Sequence, residues 1–306
     1  MKWGVALNVR DRIEDTLRKA EVADEGGIDQ VWVTDFPAIR YAPIVAAAIA
    51  ERTTSCRIGV GLISPLLYSS SHIVQFMSTL IDSYGNRFDL LIGPGDKHAL
   101  ASVGVSYSTK LMVNKTARAL EEIKLGVSEI GHRFTVFLGA QGPFMIKTSL
   151  KADGVLLNYS DPEMVEWGIK QIKRTIPSNF QLGVFPPTFV GDCQDIENNP
   201  GISSSAAMVA VGLGRVVSET FGLSDRIEAA QKLLKNRGQI DREVVKSLGK
   251  EILQRFAFCG TAEQLGVYMK ALEELGVSLA VFGPPQGVRK RGVDILVRAK
   301  STYDTN

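Results

Sequence analysis

The residues of this chain best suited to chemistry lie in short segments built around glycine. Gly139-Ala140-Gln141-Gly142-Pro143 runs directly into a helix-like segment near Phe144. A glycine-bearing loop feeding a helix N-terminus offers free N–H groups and the positive end of the helix dipole, which suits a phosphate. Pro143 matches the first-turn preference of proline. The other reading of the same loop is an ordinary strand-to-helix turn. Gly61-Leu62-Ile63-Ser64-Pro65 and Gly93-Pro94-Gly95-Asp96-Lys97 bring further glycines, where backbone can approach a flat ligand closely. Asp35, in Thr34-Asp35-Phe36-Pro37, and Asp96 are carboxylates that could act as acid/base groups or accept from a ring N–H or a hydroxyl. The alternative for each is capping of the next helix or loop. Lys97 could meet a phosphate or carboxylate, or pair with Asp96. Asn158 begins a further segment without glycine, Asn158-Tyr159-Ser160-Asp161, and Gly283-Pro284-Pro285-Gln286-Gly287 is the last. No nucleophile–His–acid triad, P-loop or G-x-G-x-x-G opening a helix is present.

These segments share a position: each follows a short apolar run. The runs Trp3 to Leu7, Gln30 to Thr34, Arg57 to Ile63, Phe88 to Ile92, Phe134 to Leu138, Gly154 to Leu157, Gln181 to Phe185 and Val277 to Phe282 read as eight strands. Helical patterns separate them. Asp11 with Glu14 reads as a capping box opening the first helix, and Gly26-Gly27 stop it. Tyr41 to Glu51, His72 to Tyr84, Asn114 to Glu129 and Gly292 to Lys300 read as helices, and Asp161-Pro162 caps another. A long helical pattern from Ser203 to about Leu272 stands as an insertion between the seventh and eighth strands, its charged run Asp225 to Arg255 either a solvated cap or a lid or subunit contact. Alternating strands and helices predict an α/β fold, a (β/α)8 TIM barrel in a single domain spanning residues 1–306. An open doubly wound sheet is the alternative. In such barrels function gathers where the strands end, which is where the glycine segments stand.

The 306 residues carry 35 Lys and Arg against 33 Asp and Glu, a balance of +2 that leaves no nucleic-acid footprint. Hydrophobic residues make up 45% and charged residues 22%, which excludes a mostly disordered chain. The apolar runs are too short to cross a bilayer. The three cysteines, Cys56, Cys193 and Cys259, are odd in number and form no C-x-x-C, which argues against a disulfide framework or a thiolate metal site. His72, His98 and His132 are too scattered to share a metal, and a structural role is favoured for His72 and His98. This composition reads as a reduced, cytoplasmic protein.

The same segments resemble a known family. The chain looks like the bacterial-luciferase-like barrels, and within them is similar to the methylenetetrahydromethanopterin reductases that use coenzyme F420, an 8-hydroxy-5-deazaflavin. The resemblance rests on MKWGVAL, VWVTDF, IGVGLISP, LIGPGDK, GAQGPFMIKT, LLNYSDP, FCGTAEQ and LGVSLAVFGPPQG, in that order, from Met1 to about Gly287. LIGPGDK and GAQGPFMIKT are the most specific of them.

The resemblance implies a deazaflavin in the barrel mouth, with FMN as the alternative cofactor of the wider superfamily. It implies a non-prolyl cis peptide at Gly61-Leu62 backing the ring. Gly61, Leu62, Ile63, Ser64, Gly93, Gly95, Lys97, Gly139, Ala140, Gln141, Gly142 and Asn158 would contact the cofactor, with Gly139 to Pro143 on its phosphate. Hydride transfer to a methylene-bridged pterin is the implied reaction, and a homodimer or higher homo-oligomer the implied assembly. Two positions depart from the family. Ala6 stands where the reductases usually carry Glu, and Phe36 where they usually carry His. Asp35 and Asp96 are the carboxylates available to take over the catalytic role. An FMN-dependent monooxygenase, or a cofactor-binding paralogue without turnover, are the alternatives.

Overall fold

The computed structural model describes residues 1–7, 10–37, 39–106, 108–172, 176–193 and 195–305, without the side chains of residues 97, 98 and 109. The strands β1 (Lys2–Leu7), β2 (Gln30–Val33), β3 (Arg57–Ile63), β4 (Phe88–Ile92), β5 (Thr135–Ala140), β6 (Gly154–Leu157), β7 (Gln181–Val184) and β10 (Leu279–Gly287) close a barrel in the order β1-β10-β7-β6-β5-β4-β3-β2. All barrel neighbours pair in parallel. The predicted (β/α)8 barrel is the observed fold, and closure rules out the open sheet. The helices around it are α1 (Ile13–Glu25), α2 (Ala42–Ala50), α3 (Ser70–Tyr84), α4 (Lys97–Ser102), α5 (Thr109–Glu129), α6 (Pro143–Thr148), α7 (Pro162–Lys170) and α13 (Lys290–Asp304). No helix among the described residues is long and apolar enough to cross a membrane.

Alternation along each strand separates two apolar layers. Val31 and Val33 of β2 and Leu90 and Ile92 of β4 face the helices. Ala6, Trp32, Leu91, Phe137, Leu156, Leu279 and Val281 face inward and fill the barrel. Trp32 is the largest of these, and glycines make room for it. A Cβ on Gly59 would stand 2.1 Å from the Trp32 ring, and one on Gly4 would stand 3.2 Å away. Below this layer the barrel is closed by polar groups. The Trp32 indole N–H donates to Gln30 Oε1 at 2.9 Å, and Gln30 Nε2 donates to Asp89 Oδ2 at 3.1 Å. Arg57 clamps the same carboxylate through Nε at 2.9 Å and Nη2 at 2.8 Å, and this bond raises the Arg57 pKa further. A bidentate arginine is the pairing that a buried carboxylate requires.

The insertion between β7 and β10 is more broken than one helical pattern. It holds β8 (Thr188–Val190), α8 (Pro200–Val211), α9 (Arg215–Thr220), α10 (Ser224–Arg237), α11 (Arg242–Phe256), β9 (Phe258–Gly260) and α12 (Ala262–Glu274). β8 and β9 form a separate two-stranded parallel sheet, with Phe189 opposite Cys259. Two further expectations are corrected. Arg12, not Asp11, precedes α1 and makes no side-chain cap; Asp11 instead pairs with Lys19 Nζ at 2.5 Å. Cys193 and Cys259 are joined by a disulfide, with Cα atoms 5.8 Å apart. The β8–β9 pairing brings them together, since Cys193 lies three residues past β8. Only Cys56 is a free, buried thiol, so cysteine usage no longer argues for a reducing compartment.

Candidate active site

The C-terminal ends of β3, β4 and β5 are packed backbone to side chain around Leu62. A Cβ on Gly93 would meet the Leu62 side chain at 2.5 Å, and one on Gly139 would meet it at 2.9 Å. Gly61 has φ +141°, and its Cβ would strike the Leu91 carbonyl at 2.3 Å, so only glycine fits. The Gly61-Leu62 peptide is cis, as the resemblance implied, and Pro284-Pro285 is a second cis bond that the sequence reading did not foresee. Ser64 ties this rim to the next loop: its hydroxyl donates to the Pro94 carbonyl at 2.7 Å and accepts from the Leu66 N–H at 3.2 Å. Gly93 N–H donates to the Ile63 carbonyl at 3.2 Å. Gly95 takes the left-handed φ of +84° beside Ser64. Gly61, Leu62, Ile63, Ser64, Gly93, Gly95 and Gly139 therefore form one continuous rim.

The β5–α6 loop continues it. Asn158 N–H donates to the Ala140 carbonyl at 3.2 Å. The Tyr159 hydroxyl, on a fully buried ring, donates to the Gln141 carbonyl, and burial pushes the Tyr159 pKa upward. The Gln141 amide donates to the Val209 carbonyl at 3.1 Å, so this side chain is taken up in tethering the loop to α8. Gly142 is the N-cap of α6 and provides no side-chain acceptor. A Cβ there would meet nothing within 4 Å. The first turn of α6 thus receives no side-chain cap from its N-cap residue.

The two candidate catalytic carboxylates are placed differently. Asp35 is half-buried; its Oδ1 accepts from the Ala42 N–H at 3.1 Å and its Oδ2 from the Tyr68 hydroxyl at 3.0 Å. Burial raises its pKa, against the lowering effect of these two bonds. The Tyr41 and Tyr68 pKa values also rise, through burial first and then the Asp35 charge. Tyr41 packs beside Tyr68 with ring centres 5.9 Å apart, and its hydroxyl reaches His72 Nε2 at 3.4 Å. Neither Tyr68 nor Tyr41 was singled out from the sequence, since aromatic residues at loop ends carry no motif. Asp96 is exposed and caps α4 by accepting from the Ala99 N–H at 2.7 Å. The capping alternative therefore describes what both carboxylates do here, and Asp35 has the altered titration as well. The side chain of Lys97 lies outside the described residues.

Ala6 is 1% exposed, enclosed by the apolar inward-facing layer. The barrel floor beneath the mouth therefore holds no carboxylate at this position. Phe36 is 37% exposed, with the Arg10 guanidinium 5.6 Å from its ring centre.

With this geometry, residues 2–123 match the luciferase-like monooxygenase family. A 5,10-methylenetetrahydromethanopterin reductase from Methanolobus tindarius is 24% identical over 319 aligned positions, covering 95% of this chain and 96% of the relative. The structure of the coenzyme F420-dependent tetrahydromethanopterin reductase from Methanopyrus kandleri superposes with a TM-score of 0.79 at 18% identity, covering 97% of each chain. The chain has the luciferase-like barrel fold. The family resemblance read from its motifs is thus borne out over almost the full length of the chain. A second structure of this fold, an F420-dependent secondary alcohol dehydrogenase with an F420–acetone adduct, gives a TM-score of 0.74 at 16% identity, again over 97% of each chain.

Proposed function

We propose that this luciferase-like barrel is an oxidoreductase that transfers a hydride from reduced coenzyme F420 to a methylene-pterin-like substrate. The observation that carries the reading is the mouth: a glycine-built rim around Leu62, continued by the β5–α6 loop, where Gly142 caps α6 without a side chain. The end-to-end likeness to methylenetetrahydromethanopterin reductases supports the choice of cofactor and substrate.

The residues present fit a flat, phosphate-bearing group. The segment Gly61 to Ser64 with Gly93 and Gly95 would give a close-packed wall, in which the Leu62 side chain fills the space that the missing Cβ of Gly93 leaves. Gly139, Ala140 and Gly142, with the α6 amides, would take the phosphate, and Gln141 would hold that loop in register through α8. Lys97 and Asn158 would complete the rim. The bound deazaflavin would supply the hydride. The work of the chain is to hold donor and acceptor at transfer distance and to exclude water from below through the packed layer of Ala6, Trp32, Leu91 and Phe137. In this proposal Asp35 handles protons, because its raised pKa brings the carboxyl nearer to neutral working pH. Asp96, exposed at the rim, would assist at the substrate edge.

Titration of the purified protein with oxidised coenzyme F420 and, in parallel, FMN tests the reading by fluorescence and absorbance. Tight binding of the deazaflavin, followed by oxidation of its reduced form with methylenetetrahydromethanopterin, is the expected result. Preference for FMN would move the chain to the monooxygenase branch. Deazaflavin binding without turnover would make it a non-catalytic paralogue, a role that Ala6 in the apolar floor would suit.

A further inference from the structure

We propose that Arg40 recognises the ring edge of the cofactor, its guanidinium pairing with an anionic oxygen on a planar ring that rests beside Phe36. This rests on the deazaflavin reading above and names the residue that would distinguish that ring from FMN.

Arg40 belongs to the β2–α2 loop, which leaves the C-terminal end of the barrel where the mouth lies. An isolated antiparallel bridge between Phe36 and Arg40 folds the loop back on itself and sets the two residues side by side. Arg40 is half-buried and its Nη1 is buried. That atom has no hydrogen-bond partner among the described residues. Among the buried side-chain polar atoms left in this condition, it alone belongs to a charged group. A buried polar atom left unpaired calls for a partner not yet in place, and the demand is greatest for a charge. The nearest carboxylate in the loop does not meet it, since Asp35 receives Ala42 N–H and the Tyr68 hydroxyl.

The chemistry of the loop narrows the partner. Phe36 offers an exposed apolar ring with the Arg10 guanidinium over it. Arg40 offers a planar fork of donors suited to an oxygen anion. A planar ligand with an ionisable oxygen on its rim satisfies both at once. The hydroxyl of an 8-hydroxydeazaflavin, conjugated through the ring to a carbonyl, is such an oxygen. FMN carries methyl groups along that edge and has no oxygen there for Arg40 to donate to.

The test uses dissociation constants for oxidised coenzyme F420 and for FMN, measured on the wild type, Arg40→Met and Arg40→Gln, with Tm of each protein without ligand. Arg40→Met is expected to weaken coenzyme F420 binding roughly tenfold or more and to leave FMN binding within about threefold. The visible band of the ionised ring should be diminished in the variant complex, and Tm without ligand should hold or rise, because a buried N–H group without a partner has been removed. Should Arg40→Met fail to fold, Arg40→Gln carries the same comparison with a polar head and no charge. Unchanged coenzyme F420 affinity in a folded variant would overturn the assignment while leaving the cofactor reading intact. Equal losses for both ligands would also overturn it, by removing the ring oxygen as the partner. A wild type that binds no coenzyme F420 would overturn the cofactor reading and this assignment together.

Discussion

Opening the Cys193–Cys259 disulfide is the perturbation whose size follows most directly from the fold. The bridge spans 66 positions. Closing a loop of that length removes entropy from the unfolded chain equivalent to about 4 kcal/mol at room temperature. What remains in Cys193→Ser is the short β8–β9 ladder, together with the Gly191 N–H to Gly260 carbonyl bond at 2.9 Å, so the native clasp persists and the loss falls mainly on the unfolded state. At roughly 2 °C per kcal/mol, the lower end for a long chain, Tm should fall by roughly 8 °C. Calorimetry on wild type, wild type with reductant and Cys193→Ser gives the comparison, and reductant should move the wild type but not the variant. Thiol counting is the control. The oxidised protein should show one thiol, Cys56, and only after denaturation, since that thiol is buried and its pKa is pushed up to about 12 by burial and then by Asp24. Three thiols in unreduced denatured protein, or a Tm change under about 2 °C, would refute the reasoning.

Three further outcomes are expected. Gly142→Asp should fold normally, because its Cβ has open space and φ is −98°, and should gain a helix cap; it should nevertheless weaken a phosphate-bearing cofactor roughly tenfold or more, and unchanged affinity by fluorescence titration would remove this loop from the site. Gly59→Ala should destabilise by about 1–3 kcal/mol through overpacking, since its Cβ would lie 2.1 Å from Trp32; urea unfolding checks it, and a neutral result would mean that the indole can shift. Asp35→Asn reports the sign of burial. Because the folded carboxyl pKa is raised, the wild type should lose stability relative to the variant as pH rises from the ordinary carboxylate range through the folded pKa; denaturant melts across that window showing the opposite slope would mean that the bonds from Ala42 and Tyr68 outweigh burial.

The sequence disclosed what periodicity and breakers encode. Arg57–Ile63, Phe88–Ile92 and Gly154–Leu157 fall where their apolar runs end, because each strand is covered by helices outside and by the filled barrel inside. β8 and β9 were hidden because three-residue strands have no period to detect, and their partners lie far along the chain. The Asp11–Glu14 pattern pointed to a cap that does not form, since Lys19, buried in α1, takes the Asp11 carboxylate instead. The disulfide was illegible for a similar reason: cysteines 66 positions apart form no spacing motif until the β8–β9 pairing joins them. At the site, the glycines were legible because close packing against Leu62 excludes a Cβ at Gly93 and Gly139. Tyr41, Tyr68 and Arg40 were not, because what sets them apart is partnership and burial.

That difference bears on how the site handles charge. In the resemblance, the acid belongs to the barrel floor at the position that Ala6 occupies. Here the floor is apolar: Ala6 lies in the layer with Trp32, Leu91 and Phe137. A carboxylate placed among them would be desolvated with no donor to hold it, and would titrate high or unfold the layer. The ionisable groups are instead on the rim, where Asp35 is held between a backbone N–H and Tyr68. A rim carboxyl would meet a ring bound in the mouth from its edge, whereas a floor carboxyl would meet it from below. The proton handling proposed for Asp35 would therefore suit chemistry at the periphery of the ligand, and a substrate whose proton is needed on the buried ring face would find no acid at the position of Ala6.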